Sequence, residues 1–239
     1  MDPTLWEEIS AVEDRHWWFT ARRSIILHLV SQLAPRGASV LDIGCGTGFT
    51  LEALAARFDA WGLEPDPAVR ARTRPSVQDR VLAGDTRDRS ALGDRRFDVV
   101  LLLDVLEHVE DDRTELSSAA TALAPGGKLL ITVPANPGLW SDHDERNGHF
   151  RRYTEASLRS LLAAAGLTPS LLTHINSRLY PLARLHRKRA SSSSAELRMP
   201  PAPVNSLFRR LFAGERDHLD RGYSQGLSLL AVAQPTDGS

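Results

Sequence analysis

The sequence predicts an α/β fold in which a mostly parallel sheet carries helices on both faces. From Ser39 onward, short apolar runs alternate with helical patterns, as expected for parallel strands joined by right-handed crossovers. The run VLDI (40–43) leads into a glycine-rich turn, a common nucleotide-binding feature of such folds. The chain has 239 residues, of which 42% are apolar. It can therefore bury one substantial core and still carry insertions.

The elements follow from their local patterns. Thr154 is predicted to N-cap a helix and Gly166 to end it. The Pro125-Gly126-Gly127 stretch is predicted to stop a helix and form a turn. The predicted strands are 39–43, 60–63, 80–83, 97–103, 128–133, 169–173 and 227–233, and the predicted helices are 50–58, 66–73, 113–123 and 154–165.

Two regions interrupt this alternation. An aromatic-rich helical stretch precedes the first strand, and Trp17 in it is expected to bury a helix on the sheet. A long insertion precedes the last strand; it contains a basic run (184–189), four serines (191–194) that indicate a flexible linker, and then a second helical pattern. We expect the insertion to act as a lid or an interface at the active-site edge. The predicted segments are a helical cap (1–38), a cofactor-binding core (39–175), the insertion (176–226) and a final strand with its tail (227–239).

Composition narrows the function classes. The formal net charge is −1, so a polyanionic partner such as nucleic acid is not expected. Cys45 is the single cysteine, which excludes an intramolecular disulfide framework, and its place in a glycine turn indicates packing. There is no signal-peptide pattern and no apolar run long enough to cross a bilayer. We therefore expect a cytoplasmic monomer or homodimer, with weak membrane-surface contact through 178–189 as a minor possibility.

The glycine turn, VLDIGCGTGF (40–49), limits the choice of nucleotide. A dinucleotide-binding turn requires a small residue at the position of Phe49, so this turn fits NAD poorly. A phosphate-binding P-loop requires Gly-Lys-Ser/Thr, which the chain lacks. Asp42 just before the turn would repel a pyrophosphate. A carboxylate there suits a ligand with a cationic amino or sulfonium end, although it could also cap the backbone of the turn.

The turn and the segments after it resemble, as an ordered set, the motifs of class I S-adenosylmethionine-dependent methyltransferases. The matching segments are VLDIGCGTGF, WGLEPDP (61–67), LAGDTRD (82–88), FDVVLLLDVLEHVED (97–111) and LAPGGKLLITVP (123–134). The resemblance implies a Rossmann-like sheet of seven strands whose last strand is antiparallel. It also implies S-adenosylmethionine as cofactor, with Glu64 on the ribose and Asp85 on the adenine. The full cofactor-binding set carried over in this way is Asp42, Gly44, Gly46, Gly48, Glu64, Asp85, Thr86 and Asp104.

The flanks resemble a bacterial small-molecule subgroup of the same superfamily. HWWFTARR (16–23) matches the helix that caps the cofactor in that subgroup, and GHFRRYTEASLRSLLAAAGL (148–167) matches the segment after the fifth strand. Trp18 and Arg22 lie one turn apart on one helix face. We expect them to close over the cofactor, with Arg22 near its carboxylate.

The polar stretch WSDHDERNGHFRRY (140–153) is expected to form the acceptor pocket. His149 is the candidate general base and Asp144 the residue that orients it. The alternative is that His149 belongs to a salt-bridged scaffold. A metal site is not predicted, because the His and Asp residues here lack a recognised metal spacing. The residues expected to contact the acceptor are His108, Trp140, His143, Arg152 and Tyr153, and His108 could equally be a packed core residue.

The sequence therefore predicts a methyltransferase that acts on a small molecule in bacterial secondary or cell-envelope metabolism, with O- or N-methylation favoured. Methyltransferases of planar amides and of DNA carry an Asn/Asp-Pro-Pro-aromatic tetrad where this chain has Asp104-Val-Leu-Glu107. Two alternatives stay open at this point. One is a nicotinamide-dependent oxidoreductase, and the other is a non-catalytic S-adenosylmethionine-binding regulator or scaffold.

Overall fold

The computed structural model describes residues 3–187 and 198–236. These residues form one seven-stranded sheet in the order β3-β2-β1-β4-β5-β7-β6. β7 runs antiparallel to both neighbours, whereas the other pairs are parallel. The predicted fold class is confirmed, including the antiparallel last strand. The strands are β1 (Ser39–Ile43), β2 (Asp59–Glu64), β3 (Val81–Ala83), β4 (Phe97–Leu103), β5 (Leu123–Pro134), β6 (Leu167–Ile175) and β7 (Ser228–Pro235).

Helices cover both faces of this sheet and its carboxyl edge. The α-helices among the described residues are α1 (Pro3–Val12), α2 (Trp17–Leu33), α3 (Phe49–Ala55), α4 (Pro67–Arg70), α5 (Asp112–Ala120), α6 (Asp142–Asn147), α7 (Glu155–Ala164), α8 (Tyr180–Arg187) and α9 (Ala202–Ala213). Within the described ranges, no helix is both long and apolar enough to cross a membrane.

The predicted helix stop after α5 is wrong in detail. The chain pairs with β4 as early as Leu123, so Pro125-Gly126-Gly127 lies inside β5. Gly126 has φ +77, and the register shifts between Phe97 and Val99. A Cβ on Gly127 would lie 2.9 Å from the carbonyl oxygen of Phe97. The glycines therefore allow an irregularity within a paired strand. From the sequence alone, glycines in such an irregularity look the same as glycines in a turn.

The caps of α7 agree with the sequence. The hydroxyl of Thr154 accepts a hydrogen bond from the Ser157 backbone at 3.0 Å, and Gly166 follows the helix with φ +72. These are the side-chain and backbone solutions expected at the two ends of a helix.

Trp17 packs against the core cluster between α2 and the sheet, and it also contacts a second helix. Its ring contacts Phe208 and Phe212 of α9, at centroid distances of 5.5 and 6.2 Å, and its backbone N–H donates to the side chain of Asn205 at 2.9 Å. The helix of the insertion thus lies against α2, which covers one face of the sheet. The opposite face is covered by α5 and α7.

The division of the chain into four segments stays a prediction. The expected serine linker (191–194) lies outside the described residues, as do positions 188 and 189 of the basic run. Leu182 and Leu185 of α8, near the start of that run, are exposed.

Candidate functional site

A cavity of about 630 Å³ opens at the carboxyl edge of the sheet. This is where open α/β sheets bind their ligands. The ends of several strands form its floor, and α1, α2, α8 and α9 contribute to its walls. The floor residues are Asp42 in β1 and Gly44 just after it, Leu103 and Asp104 at the end of β4, Pro134 at the end of β5, Asn176 after β6 and Ser228 at the start of β7.

The conformation of the glycine turn depends on the positive φ angles of its glycines and on hydrogen bonds to Glu64. Gly44 and Gly46 have φ +68 and +57, the left-handed region in which side chains are strained. The Glu64 carboxylate accepts hydrogen bonds from the backbone of Gly46 at 3.1 Å and of Asp66 at 3.0 Å. Gly48 then begins α3 with φ +77. The result is a shallow turn whose backbone a ligand can approach closely.

Two buried carboxyl groups lie at this turn. Burial raises the pKa of Asp42 to about 7, the Arg22 charge opposes that rise and the Glu64 charge adds to it. Burial also raises the pKa of Glu64, although backbone hydrogen bonds from Asp66 and Gly46 oppose this. A ligand that brings positive charge would relieve both costs. The arrangement therefore fits the amino and sulfonium groups of S-adenosylmethionine better than a pyrophosphate.

Arg22 spans the middle of the cavity. Its guanidinium forms a salt bridge with Asp104 at 2.8 Å and donates to the Thr132 hydroxyl at 2.7 Å. The Trp18 ring lies beneath the guanidinium, with 5.1 Å between the Arg22 Cζ atom and the ring centroid. Asp104 has φ +58, a conformation that often marks functional positions. Trp18, Arg22 and Asp104, singled out separately from the sequence, thus form one cluster.

Helix α1 covers the glycine turn. It belongs to the predicted helical cap (1–38), but none of its residues is among the predicted site residues. A Cβ on Gly46 would lie 3.0 Å from the Trp6 ring. Glu13 accepts a hydrogen bond from the Thr47 hydroxyl at 2.8 Å and one from Arg74 at 2.9 Å. Trp6 and Glu13 both line the cavity, so α1 forms part of the cover over the site.

Opposite the glycine turn lies a buried charge network centred on Asp144. Its carboxylate binds His149 Nδ1 at 2.8 Å and Arg152 Nε at 2.7 Å. It also accepts from the Ser141 backbone at 2.9 Å, which caps α6. Burial opposes the charge of Asp144, but the hydrogen bonds from His149 and Arg152 hold the pKa of Asp144 well below its usual range. Asp144 is therefore an ionised residue that fixes the orientation of the His149 ring.

His149 shares its side of the cavity with two residues that follow β4. The rings of His149 and His108 meet edge to face, with 4.7 Å between centroids. Asp104, Glu107 and His108 belong to the same short segment. The Phe150 backbone N–H donates a hydrogen bond to the Glu107 carbonyl oxygen in this segment at 2.7 Å. Burial lowers the pKa of His108 to about 4, and the charge of His149 adds to this shift. His108 therefore meets the cavity as a neutral ring.

Glu107 was not singled out from the sequence. Its side chain is buried, and its Oε2 atom has no hydrogen-bond partner in the structure. Burial raises the pKa of Glu107 well above the usual value, and the nearby Asp104 charge adds to the rise. Glu107, His108 and His149 each offer one ligand atom, and the three atoms lie within 4.8 Å of one another. A donor set of two imidazoles and one carboxylate suits a divalent transition metal.

Seven predicted site residues do not line the cavity. Gly48, Glu64 and Asp144 adjoin or bind residues that do, whereas the other four lie apart from it. Asp85 closes a local turn by accepting from the backbone N–H groups of Arg87 and Asp88, and Thr86 is buried beside it. Trp140 is exposed. The Tyr153 hydroxyl donates to Asp112 at 2.8 Å. The structure therefore does not bring Asp85, Thr86, Trp140 or Tyr153 to the cavity, whereas His143 and Arg152 do line it.

Cys45 behaves as a packing residue. Its side chain is buried, and a Cβ on Gly62 of the neighbouring strand would lie 2.6 Å from its sulfur. Burial raises the pKa of the Cys45 thiol, and the Asp42 charge adds to that rise, which leaves the thiol protonated and unreactive.

Comparisons with known proteins agree with this geometry. A family model described as "Methyltransferase domain" matches residues 17–172. The chain is 33% identical over 142 residues to a ubiquinone biosynthesis O-methyltransferase of Xanthomonas axonopodis pv. citri (strain 306), a match covering 53% of this chain and 59% of the relative. It is 27% identical over 230 residues to the O-methyltransferase cnsE of Penicillium expansum, covering 88% of this chain and 78% of the relative.

The fold is shared with a solved structure of low sequence identity. A chain of the complex between the Haloferax volcanii Trm112 methyltransferase activator and a candidate methyltransferase superposes with a TM-score of 0.63. The two chains are 21% identical, and the match covers 99% of this chain and 96% of the other. This chain spans only part of the length of the ubiquinone biosynthesis O-methyltransferases that it matches; for the Xanthomonas protein the share is 59%.

Proposed function

Because the chain belongs to the class I S-adenosylmethionine-dependent methyltransferases, we propose that it transfers a methyl group to a hydroxyl oxygen of a small-molecule acceptor. The observation that carries the proposal is that His149 lines the cavity while its Nδ1 is bound at 2.8 Å to the buried carboxylate of Asp144 behind it. The names of the two O-methyltransferase relatives support oxygen as the methylated atom.

The cofactor is expected to lie along the glycine turn, between Glu64 and the Arg22 cluster. Asp42 and Asp104 face the cationic end of S-adenosylmethionine in this proposal, and Trp18 covers it. When bound, the cofactor supplies an electrophilic methyl group on a good leaving group. The protein then has to hold the acceptor oxygen in line with that methyl and keep water out. The α1 and α2 helices are suited to exclude water because both contribute to the cavity wall.

His149 is the proposed proton acceptor. When the Nδ1–H of the ring donates to Asp144, Nε2 carries a lone pair that can accept the proton of the acceptor hydroxyl. Asp144 then stabilises the imidazolium, and Arg152 holds Asp144 in place at 2.7 Å. His108 and His143 lie next to the His149 ring and are proposed to contact the acceptor.

A variant of this chemistry is favoured by the Glu107–His108–His149 cluster. A divalent cation bound there would polarise the acceptor oxygen, and His149 would then be a ligand rather than a base. Asp144 would orient the ligating ring, as carboxylates do around many metal-bound histidines. The general-base mechanism and the metal mechanism make opposite predictions for the rate after a chelator has removed metal ions.

The test is methyl transfer from S-adenosylmethionine to a panel of phenols, catechols and amines, with the methylated product detected by mass spectrometry. We expect methylated phenols or catechols. The His149→Ala variant is expected to lose about 100-fold or more in kcat, as is usual for the loss of a general base. The His28→Ala variant is a matched control, because His28 lies on α2 in a separate surface groove.

Metal removal separates the two versions of the mechanism. If His149 is a base, EDTA treatment leaves the rate unchanged. If the cluster holds a cation, EDTA abolishes the rate and a divalent transition metal such as Mn²⁺ or Fe²⁺ restores it. Full activity of His149→Ala under both conditions would reject both roles for this residue.

Calorimetry with S-adenosylmethionine, S-adenosylhomocysteine and NAD tests the cofactor independently of the acceptor. Binding of the first two without any methylated product across the panel would favour the scaffold alternative. We keep a cytoplasmic location and a monomeric or homodimeric state as predictions, and light scattering tests the latter.

A further inference from the structure

Asn176 stands at the carboxyl end of β6 with an unusual combination of properties. Its side chain is fully buried, and among the described residues neither its Nδ2 nor its Oδ1 atom has a hydrogen-bond partner. The residue lines the cavity. A buried carboxamide without partners destabilises the protein, so a ligand group that satisfies it on binding would bind more tightly.

The backbone of Asn176 is left-handed. Its φ is +56, a conformation that asparagine accepts more readily than other side-chain-bearing residues. The following residues, Ser177 and Arg178, donate their backbone N–H groups to the buried carboxylate of Glu215, both at 2.8 Å. Glu215 belongs to the insertion, in the 3₁₀ segment after α9.

A second contact fixes the same loop from the β7 side. The backbone N–H of Leu227 donates to the carbonyl of Ile175 at 3.1 Å. A Cβ on Gly226 would lie 2.4 Å from that carbonyl oxygen, so only glycine fits there. The insertion and the start of β7 thus hold the Asn176 carboxamide in one position at the floor of the cavity.

The position of β6 assigns Asn176 to the acceptor and not to the cofactor. In the sheet order, β6 is separated from β1 by β4, β5 and β7, which is about 19 Å at the usual strand spacing. The glycine turn follows β1, at the far end of the cavity. The walls near Asn176 include apolar side chains of the insertion, among them Leu179 and Phe208.

We propose that the Asn176 carboxamide selects acceptors that carry a second hydroxyl group, away from the oxygen that is methylated. A neutral carboxamide has both a donor and an acceptor to satisfy, and a hydroxyl is the smallest group that answers both. The aromatic side chains of the cavity, including Trp18 and Phe208, fit an aromatic body for this acceptor. The inference rests on the proposed methyl transfer, and Asn176 acts in it as a specificity-determining residue.

The test compares aromatic diols whose two hydroxyls are on opposite sides of the molecule with matched monophenols in three proteins: wild type, Asn176→Gly and Asn136→Gly. Asn176→Gly removes the carboxamide while glycine tolerates the left-handed backbone, so the variant is expected to fold. Asn136 is a matched control with φ +62. Its carboxamide is satisfied within the protein, by the Tyr180 hydroxyl at 3.0 Å and the Gly138 backbone at 3.0 Å.

We expect Asn176→Gly to lower kcat/KM roughly 10- to 100-fold for the diol and little for the monophenol, the usual effect of an unmatched ligand hydroxyl. Asn136→Gly is expected to leave the ratio of the two acceptors unchanged. An equal loss on both acceptors, or no loss on either, would overturn the proposal.

Binding distinguishes failure of this inference from failure of the proposed function. If no acceptor is methylated, calorimetry of the same diol and monophenol with the S-adenosylhomocysteine-loaded protein still decides the point. Tighter binding of the diol that disappears in Asn176→Gly supports the selection of a second hydroxyl. Equal binding of both compounds to wild type rejects it.

Discussion

Arg22 of α2 and Asp104 at the end of β4 form a salt bridge of 2.8 Å across the cavity. The pair joins the N-terminal cover to the segment after β4 that contains Glu107 and His108. Thr132 on β5 binds both partners, accepting from Arg22 at 2.7 Å and donating to Asp104 at 2.9 Å. The salt bridge therefore fixes Arg22 beside the end of β4, where the methionine portion of the cofactor is expected.

Replacement of Arg22 by alanine should weaken S-adenosylmethionine binding. The change removes the guanidinium that Asp104 and the Trp18 ring hold in place and that is expected near the carboxylate of the cofactor. We expect a rise in Kd of about 10-fold or more, the size associated with losing one charge-assisted hydrogen bond. Calorimetry measures this, with Arg216→Ala as the control because Arg216 contacts Ser24 on α2 away from this cavity. An unchanged Kd would reject the role of Arg22.

Cofactor binding should strengthen as the pH rises through about 7, the value to which burial raises the pKa of Asp42. Below that pH the free protein holds Asp42 protonated, and a cationic ligand must displace the proton. The affinity for S-adenosylmethionine is therefore expected to rise from about pH 5.5 to about pH 7.5 and then to level off. In Asp42→Asn this dependence should disappear and binding should be weaker throughout. A wild-type Kd that does not change over this range would contradict the assignment.

The same residue gives a stability prediction of opposite sign. An acid whose folded pKa lies above its unfolded value destabilises the folded state once the pH exceeds the unfolded value. The rise from 3.8 to about 7 corresponds to on the order of 4 kcal/mol above pH 7. Asp42→Asn should therefore raise the free energy of unfolding of the ligand-free protein at pH 8 and change it less at pH 4. Denaturant unfolding at the two pH values measures the difference.

The parts of the fold that the sequence predicts well are those with a local cause. Thr154 caps α7 because its hydroxyl is the right group at the right position, and the glycine turn needs residues such as Gly44 and Gly46 that accept a positive φ. Pro125-Gly126-Gly127 was misassigned because glycine serves a turn and a strand irregularity equally well. The contact of Trp17 with Phe208 and Phe212 could not be predicted, because these partners are almost two hundred residues away in the chain.

The site shows the same limit. Asp144 and His149 are five residues apart, so a short polar segment was enough to suggest their pairing. Asn176 and Glu107 carry no local signal, because what distinguishes them is burial without a partner. Asp85 had a motif in its favour, but in the structure its carboxylate closes its own turn. Burial and side-chain direction depend on tertiary packing, which periodicity alone does not reveal.

Asp144→Ala should destabilise the protein strongly. Arg152, whose side chain is almost fully buried, would lose its 2.7 Å carboxylate partner, and α6 would lose its cap. Breaking a buried ion pair by removing one partner typically costs about 3–5 kcal/mol. Denaturant unfolding measures the loss, and Glu155→Ala is the control because its salt bridge to Arg159 is exposed. A loss below about 1 kcal/mol, the value typical of surface pairs, would contradict the network described for Asp144.

Glu64→Gln tests whether the carboxylate at the end of β2 contacts the ribose or only shapes the turn. Glu64 already accepts from the backbone of Gly46 and of Asp66 through separate oxygens, and each oxygen retains a second lone pair that a ribose hydroxyl could use. If it does so, wild type should bind adenosine more tightly than 2′- or 3′-deoxyadenosine, and the variant should lose that discrimination. If Glu64 only holds the turn, wild type binds adenosine and its deoxy analogues with the same Kd, and the variant weakens all of them together. Calorimetric Kd values for these nucleosides separate the outcomes, because glutamine keeps the size of the side chain but replaces one acceptor by a donor facing a backbone N–H.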